Sequence, residues 1–122
     1  MDLQTKLTSF AHKVYSELGG GFSERVYHNA MEVLLRSEGL PYETERIITI
    51  EFEGHTIGNL RADLIVDKKF IVELKATKSI TPAMTNQAQK YLQLLNLPHA
   101  LVINFPQPFA EGCEILAVEP YK

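Results

Sequence analysis

The stretch Arg61–Ala76, RADLIVDKKFIVELKA, decides how the rest of the chain is read. Asp67-Lys68-Lys69 is a polar break between two apolar runs, and the pattern predicts a β-hairpin with a three-residue turn. Such a turn sets Val66 against Phe70, Ile65 against Ile71, Leu64 against Val72 and Asp63 against Glu73. Alternation then gathers Ala62, Leu64, Val66, Phe70, Val72, Leu74 and Ala76 on one wholly apolar face. The opposite face carries Arg61, Asp63, Ile65, Ile71, Glu73 and Lys75. Directly opposed, Asp63 and Glu73 have Cβ atoms about 5 Å apart, and like charges at that range destabilise a sheet unless something positive lies between them.

Two readings account for that face. In one it is a water-facing ribbon on which Lys75 and Arg61 neutralise the acids, a common arrangement in antiparallel sheets. In the other the face is partly covered, since it also carries Ile65 and Ile71, and the acids are brought together for a cation. A hard ion such as Mg²⁺ takes one or two carboxylates and keeps several waters. It lowers the pKa of a bound water and neutralises charge growing on a phosphate oxygen. Glu73-x-Lys75 adds an ammonium about 7 Å along the same strand face, where it can stabilise developing charge.

The flanking sequence completes the order of elements. Upstream, Leu3, Leu7, Phe10, Val14 and Leu18 recur at helical spacing, and Gly19-Gly20-Gly21 stops that helix. Ser23 caps a second helix from Glu24 to about Ser37, with Val26, Ala30, Val33 and Leu34 expected toward the core and Glu24 favourably placed in the first turn. Arg46–Glu53 is a β-branched strand, and Gly54-His55 turns into the strand from about Thr56 to Val66. Downstream, Thr81-Pro82 is a cap followed by proline, opening a helix to about Leu95 with Met84, Ala88, Tyr91 and Leu95 on one stripe. Ala100–Phe105, a nearly continuous apolar run, predicts a strand covered on both faces, and Glu114–Val118 a last strand near an edge. The order is α-α-β-β-β-α-β-β, an α/β or α+β fold with a mixed sheet flanked by helices.

With 122 residues, 45% hydrophobic and 22% charged, the sequence predicts one ordered domain over 1–122. No apolar run is long enough to span a bilayer, and the polar start MDLQTKLTSF lacks a secretory h-region, so a cytoplasmic location without membrane contact is expected. The lone Cys113 excludes an internal disulfide and suits a reducing compartment. His12, His28, His55 and His99 show no ligand spacing, which argues against zinc. Gly19–Gly21 is followed by no lysine and is not a phosphate-binding loop. The formal charge of −3 argues against a broadly basic nucleic-acid surface.

D-x(9)-E-x-K on a strand–turn–strand followed by a helix resembles the PD-(D/E)XK nuclease superfamily, with its restriction-endonuclease-like fold. Gly21-Phe22-Ser23-Glu24-Arg25-Val26-Tyr27 is similar to the G-x-x-E-x-x-Y signature of the bacterial and archaeal GxxExxY proteins. RADLIV, VELKA, the Gln87–Leu92 segment and LVINF follow in that family's order, so the resemblance spans nearly the whole chain. One departure is Ala62, where the superfamily name has proline. The resemblance implies a phosphodiester hydrolase using Mg²⁺ or Mn²⁺, with Asp63, Glu73 and Glu24 as metal ligands and Lys75 as catalytic lysine. Gln87 corresponds to a glutamine that exonuclease-type members place near the metal. Tyr91, one turn on, is a candidate for nucleic-acid contact or for packing, and Arg25, Arg61 and Lys78 are candidates to meet phosphates. DNA is the expected substrate, and the small size implies a homodimer or a partner protein to complete the grip. The alternative is a non-catalytic adaptor of the same fold in a nucleic-acid-processing or defence complex.

Overall fold

The computed structural model describes residues 2–107 and 111–121. Its elements follow the expected order: α1 (Leu3–Leu18), α2 (Glu24–Ser37), β1 (Tyr42–Phe52), β2 (His55–Val66), β3 (Phe70–Lys75), α3 (Pro82–Leu95), β4 (His99–Asn104) and β5 (Glu114–Val118). The strands form one mixed sheet in the order β1-β2-β3-β4-β5, antiparallel except for the β3–β4 pair. That parallel pair needs a long crossover, which α3 supplies. Among the described residues no helix is long and apolar enough to cross a membrane.

Each face of the sheet has its own core. Leu7, Phe10 and Val14 of α1 and Tyr27, Met31 and Leu35 of α2 pack on Leu64, Val66, Val72, Leu74, Leu101 and Ile103. On the other side Ala88, Tyr91 and Leu92 of α3 pack on Ile65, Ile71, Ala100 and Val102. β4 therefore buries alternate residues in opposite cores, as its apolar run requires. Ile65 and Ile71 lie under α3, so the ribbon face is covered at that level, with Glu73 buried beside them and Asp63 half-buried.

Several expectations are corrected. Tyr27, Met31 and Leu35 line the buried face of α2, and Val33, expected there, is 52% exposed. Spacing by four and eight from Tyr27 fixes the buried stripe, and the large aromatic ring outweighs the smaller Val26–Ala30–Val33 pattern. β1 begins at Tyr42, four residues before the expected start, because the polar run Tyr42–Thr44 pairs with Leu64–Val66. The tight turn is Glu53-Gly54, both with positive φ, rather than Gly54-His55. That pair of left-handed residues matches the twist of a two-residue hairpin.

Candidate active site

The central correction lies at Asp63. β2 and β3 pair at Val66–Phe70, Ile65–Ile71 and Leu64–Val72 as expected, but the ladder stops there and Asp63 does not pair backbone-to-backbone with Glu73. The strands part, and the two side chains bridge the gap. The Leu74 N–H donates to Asp63 Oδ2 at 2.8 Å, and the Asp63 N–H donates to Glu73 Oε1 at 3.3 Å. Each acid thus satisfies a backbone donor that the fork would otherwise orphan.

The ladder to β1 is disturbed at the same level. Glu45, which falls opposite Asp63 between the pairs Thr44–Leu64 and Arg46–Ala62, adopts φ 53°. For a non-glycine residue that conformation is costly and needs outside support. Arg25, in the first turn of α2, supplies an ion pair to the Glu45 carboxylate and holds its pKa below the usual range. Alternation also breaks here. Leu64 and Val66 pack beneath α1 and α2, whereas Ala62, expected with them, joins Ile48 and Leu60 on the α3 side.

The fork opens into a cleft of about 480 Å³. β2 and β3 contribute Arg61, Asp63, Glu73 and Lys75, α3 contributes Gln87 and Tyr91, and α2 contributes Glu24. Lys75 ends β3, held by the β4 pairing and by the Phe105 N–H donating to its carbonyl at 2.9 Å. Beyond it, buried Asn104 bonds both the N–H and the carbonyl of Thr77 and also Glu114, fixing the loop that leads into α3. Gln87 and Tyr91 share a helix face at i,i+4 spacing.

Glu24 is delivered by the glycine turn. Gly19 and Gly21 have φ of 71° and 102°, letting the chain reverse tightly between α1 and α2. The Tyr27 hydroxyl donates to the Gly19 carbonyl at 2.7 Å and accepts from the Phe22 N–H at 3.3 Å. Its ring stacks on Phe105, centroids 4.3 Å apart and nearly parallel. Tyr27 is therefore the anchor that seats the start of α2, with Ser23 at the N-cap position but making no side-chain capping bond.

Charge in the cleft is unbalanced. Glu73 is 2% exposed, and burial together with the Asp63 carboxylate pushes its pKa up to about 9, against the pull of the Asp63 N–H and Lys75. Glu24, at the rim, is also raised, by loss of surrounding water and by Asp63. Among the described residues no three His, Cys, Asp or Glu side chains are drawn close enough to form a ready-made metal group. The donor chemistry nevertheless suits a hard divalent ion: Asp63, Glu73 and Glu24 offer only carboxylate oxygens, three acids against the Lys75 ammonium and the Arg61 guanidinium in the cleft.

Other candidates fare differently. Tyr91 is buried, and its hydroxyl donates to the Arg61 carbonyl at 2.9 Å, so the ring braces β2 as a wall of the cleft. Burial and the nearby Glu73 push its pKa to about 12. Arg25 is committed to Glu45, and neither Arg25 nor the exposed Lys78 lines the cleft. The sequence reading did not single out Ile47, Asn59 and Leu60, which complete the wall on the β1–β2 side. The two-residue steps Asn59–Arg61–Asp63 along β2 are the signal that marks Asn59.

The sequence profile of the PD-(D/E)XK nuclease superfamily matches residues 1–115. No curated protein matches the chain. Among solved structures, the one described as "Crystal structure of SSO0001" is similar with a TM-score of 0.59 and 22% identity, covering 80% of this chain and 50% of that one. The chain spans about half the length of that relative, and at this identity the likeness is one of fold. With a five-stranded mixed sheet, three flanking helices and a profile match over 1–115, the chain belongs to the PD-(D/E)XK nuclease superfamily.

Proposed function

We propose that the protein is a divalent-metal-dependent nuclease of the GxxExxY type, hydrolysing phosphodiester bonds in nucleic acid, with DNA the favoured polymer. One observation carries the reading: Glu24, Asp63, Glu73, Lys75 and Gln87, drawn from four elements, line a single cleft at the β2–β3 fork. Asp63 and Glu73, with Glu24 from the rim, would hold the cation. The ion, when bound, supplies positive charge to a phosphate oxygen and acidity to water.

The chain's own groups do the rest. Hydrolysis joins a water oxygen to phosphorus, breaks the ester P–O bond and delivers a proton to the leaving oxygen. The Lys75 ammonium donates hydrogen bonds to the phosphate or the attacking water and offsets charge developing in the transition state. Gln87 offers an amide on the α3 side to orient the same groups, while Arg61 meets a neighbouring phosphate. The Leu74 N–H holds Asp63 and the Asp63 N–H holds Glu73, which keeps both acids in place before substrate arrives. A second copy or a partner protein extends the grip beyond this small domain.

The test is incubation with labelled single-stranded, duplex and branched DNA, and with RNA, in Mg²⁺, Mn²⁺ or EDTA. Cleavage is expected with either ion and not with EDTA, falling roughly 100-fold or more in Lys75→Ala and Glu73→Ala. Cleavage unchanged in Glu73→Ala, or none in any divalent condition, overturns the proposal. The formal charge of −3 favours the adaptor reading instead, and calorimetry separates the two. An adaptor gives no Mn²⁺ heat that disappears in Asp63→Asn.

A further inference from the structure

The β1–β2 hairpin is covered on one face only. Along it Ile47 pairs with Arg61 and Thr49 with Asn59, and these four share the face opposite Ile48, Leu60 and Ala62, which pack toward α3. The first face is bare. Ile47 is 56% exposed, and Thr49, Asn59 and Arg61 are exposed as well. Ile47, Asn59 and Arg61 also line the cleft, so the row reaches the pocket that holds Asp63. Farther out, Ile57 at the hairpin's bulge is 64% exposed and Phe52 at its end is 63% exposed. A two-stranded arm is marginally stable alone, and apolar side chains left bare on it are available to an occupant.

We infer that this face is a track for a single, unpaired nucleic-acid strand leading to the cleft, and that the substrate of the proposed nuclease site is single-stranded or frayed, not a closed duplex. The inference rests on the nuclease reading of the same cleft. A duplex presents mainly phosphates, and gripping it takes many cations whose counterion release drives binding. The cleft and its track offer Arg61 and Lys75 against Glu24, Asp63 and Glu73, on a chain of net charge −3. What the track does offer is apolar surface at Ile47 and an amide at Asn59, diagonal neighbours across the Ile47–Arg61 and Thr49–Asn59 pairs. Those groups match splayed bases, whose faces bury against apolar side chains and whose edges pair with amides. Arg61, level with Ile47 and one two-residue step from Asp63 along β2, takes one phosphate.

The experiment measures binding by fluorescence anisotropy in EDTA, where cleavage plays no part. The probes are a labelled single-stranded DNA, the same sequence as RNA, and a blunt DNA duplex. The expected result is at least tenfold tighter binding of a single strand than of the duplex, with the DNA and RNA arms telling which sugar is preferred. The double variant Ile47→Ser/Asn59→Ala, at exposed positions, is expected to weaken strand binding about tenfold while the thermal midpoint stays as in the parent. Equal affinity for duplex and single strand, or strand binding unchanged in the variant, overturns the inference. So does concentration-dependent self-association that the variant abolishes in a protein without strand affinity, which assigns the arm to a second copy. Glu73-dependent cleavage of blunt duplex with no strand preference leaves the nuclease reading standing and removes the track. Strand binding without cleavage in Mg²⁺ or Mn²⁺ does the reverse.

Discussion

Glu73 is the residue on which the site's electrostatics turn. Its carboxyl, ordinarily near 4.5, is raised to about 9 in the folded chain by burial and by Asp63. Between those values the folded protein keeps a proton that the unfolded chain has lost, so unfolding releases it and rising pH favours unfolding. In EDTA, the thermal midpoint is therefore expected to fall as pH rises from about 5 to about 9, and Glu73→Gln, which cannot ionise, should flatten that slope. A scan of midpoint against pH for parent and variant checks this, and identical slopes would remove Glu73 as the cause. Asp63 and Glu73 were legible in the sequence as a close pair because strand alternation and turn length fix neighbours. The side-chain-to-backbone bonds that join them were not, because nothing local in RADLIV or FIVELK announces that a ladder ends.

Among the elements, α2 shows how a short signature works as a device. The glycine turn, the carboxylate and the tyrosine are three parts of one placement: Gly21 permits the reversal, Tyr27 ties it down, and Glu24 is carried to the cleft. Tyr27→Phe keeps the stack on Phe105 and removes the hydroxyl that serves Gly19 and Phe22. The expected loss is about 1–2 kcal/mol in denaturant unfolding, since each buried hydrogen bond contributes about 1 kcal/mol. Tyr27→Ala also empties the ring's volume and is expected to cost about 3–5 kcal/mol. A loss as large in Phe as in Ala would mean that the ring contributes nothing. The helices were readable where chemistry marks their ends: the Thr81 hydroxyl accepts from the Met84 N–H, with Pro82 behind it, as the sequence suggests. Helix rotation was harder to read, because Val33 and Met31 both fit an apolar stripe and only packing against β3 and Phe105 chooses between them. The left-handed Glu45 is likewise invisible locally, its support coming from Arg25 on another element.

At the scale of the whole molecule, a two-cored sheet opens where its ladders fail and concentrates acid there. A divalent ion entering the proposed site must displace the Glu73 proton, so binding and proton release are coupled. Titrating Mn²⁺ into EDTA-treated and desalted protein near pH 8, in buffers of different ionisation enthalpy, should show about one proton released per ion bound. The folded state should gain about 2.7 kcal/mol at an ion concentration 100 times the dissociation constant, and Asp63→Asn should lose both effects. Topology itself was largely legible, since element order and apolar runs select a sheet between helices. The bare arm beyond the site was not, for its Ile47 and Ile57 look like core residues until their surroundings are known. The fork also leaves a spectroscopic handle. Because the Leu74 N–H points at a carboxylate and not at a backbone carbonyl, its resonance in a nitrogen–proton correlation spectrum responds to whatever engages the Asp63 side chain, making one backbone amide a resident gauge of occupancy.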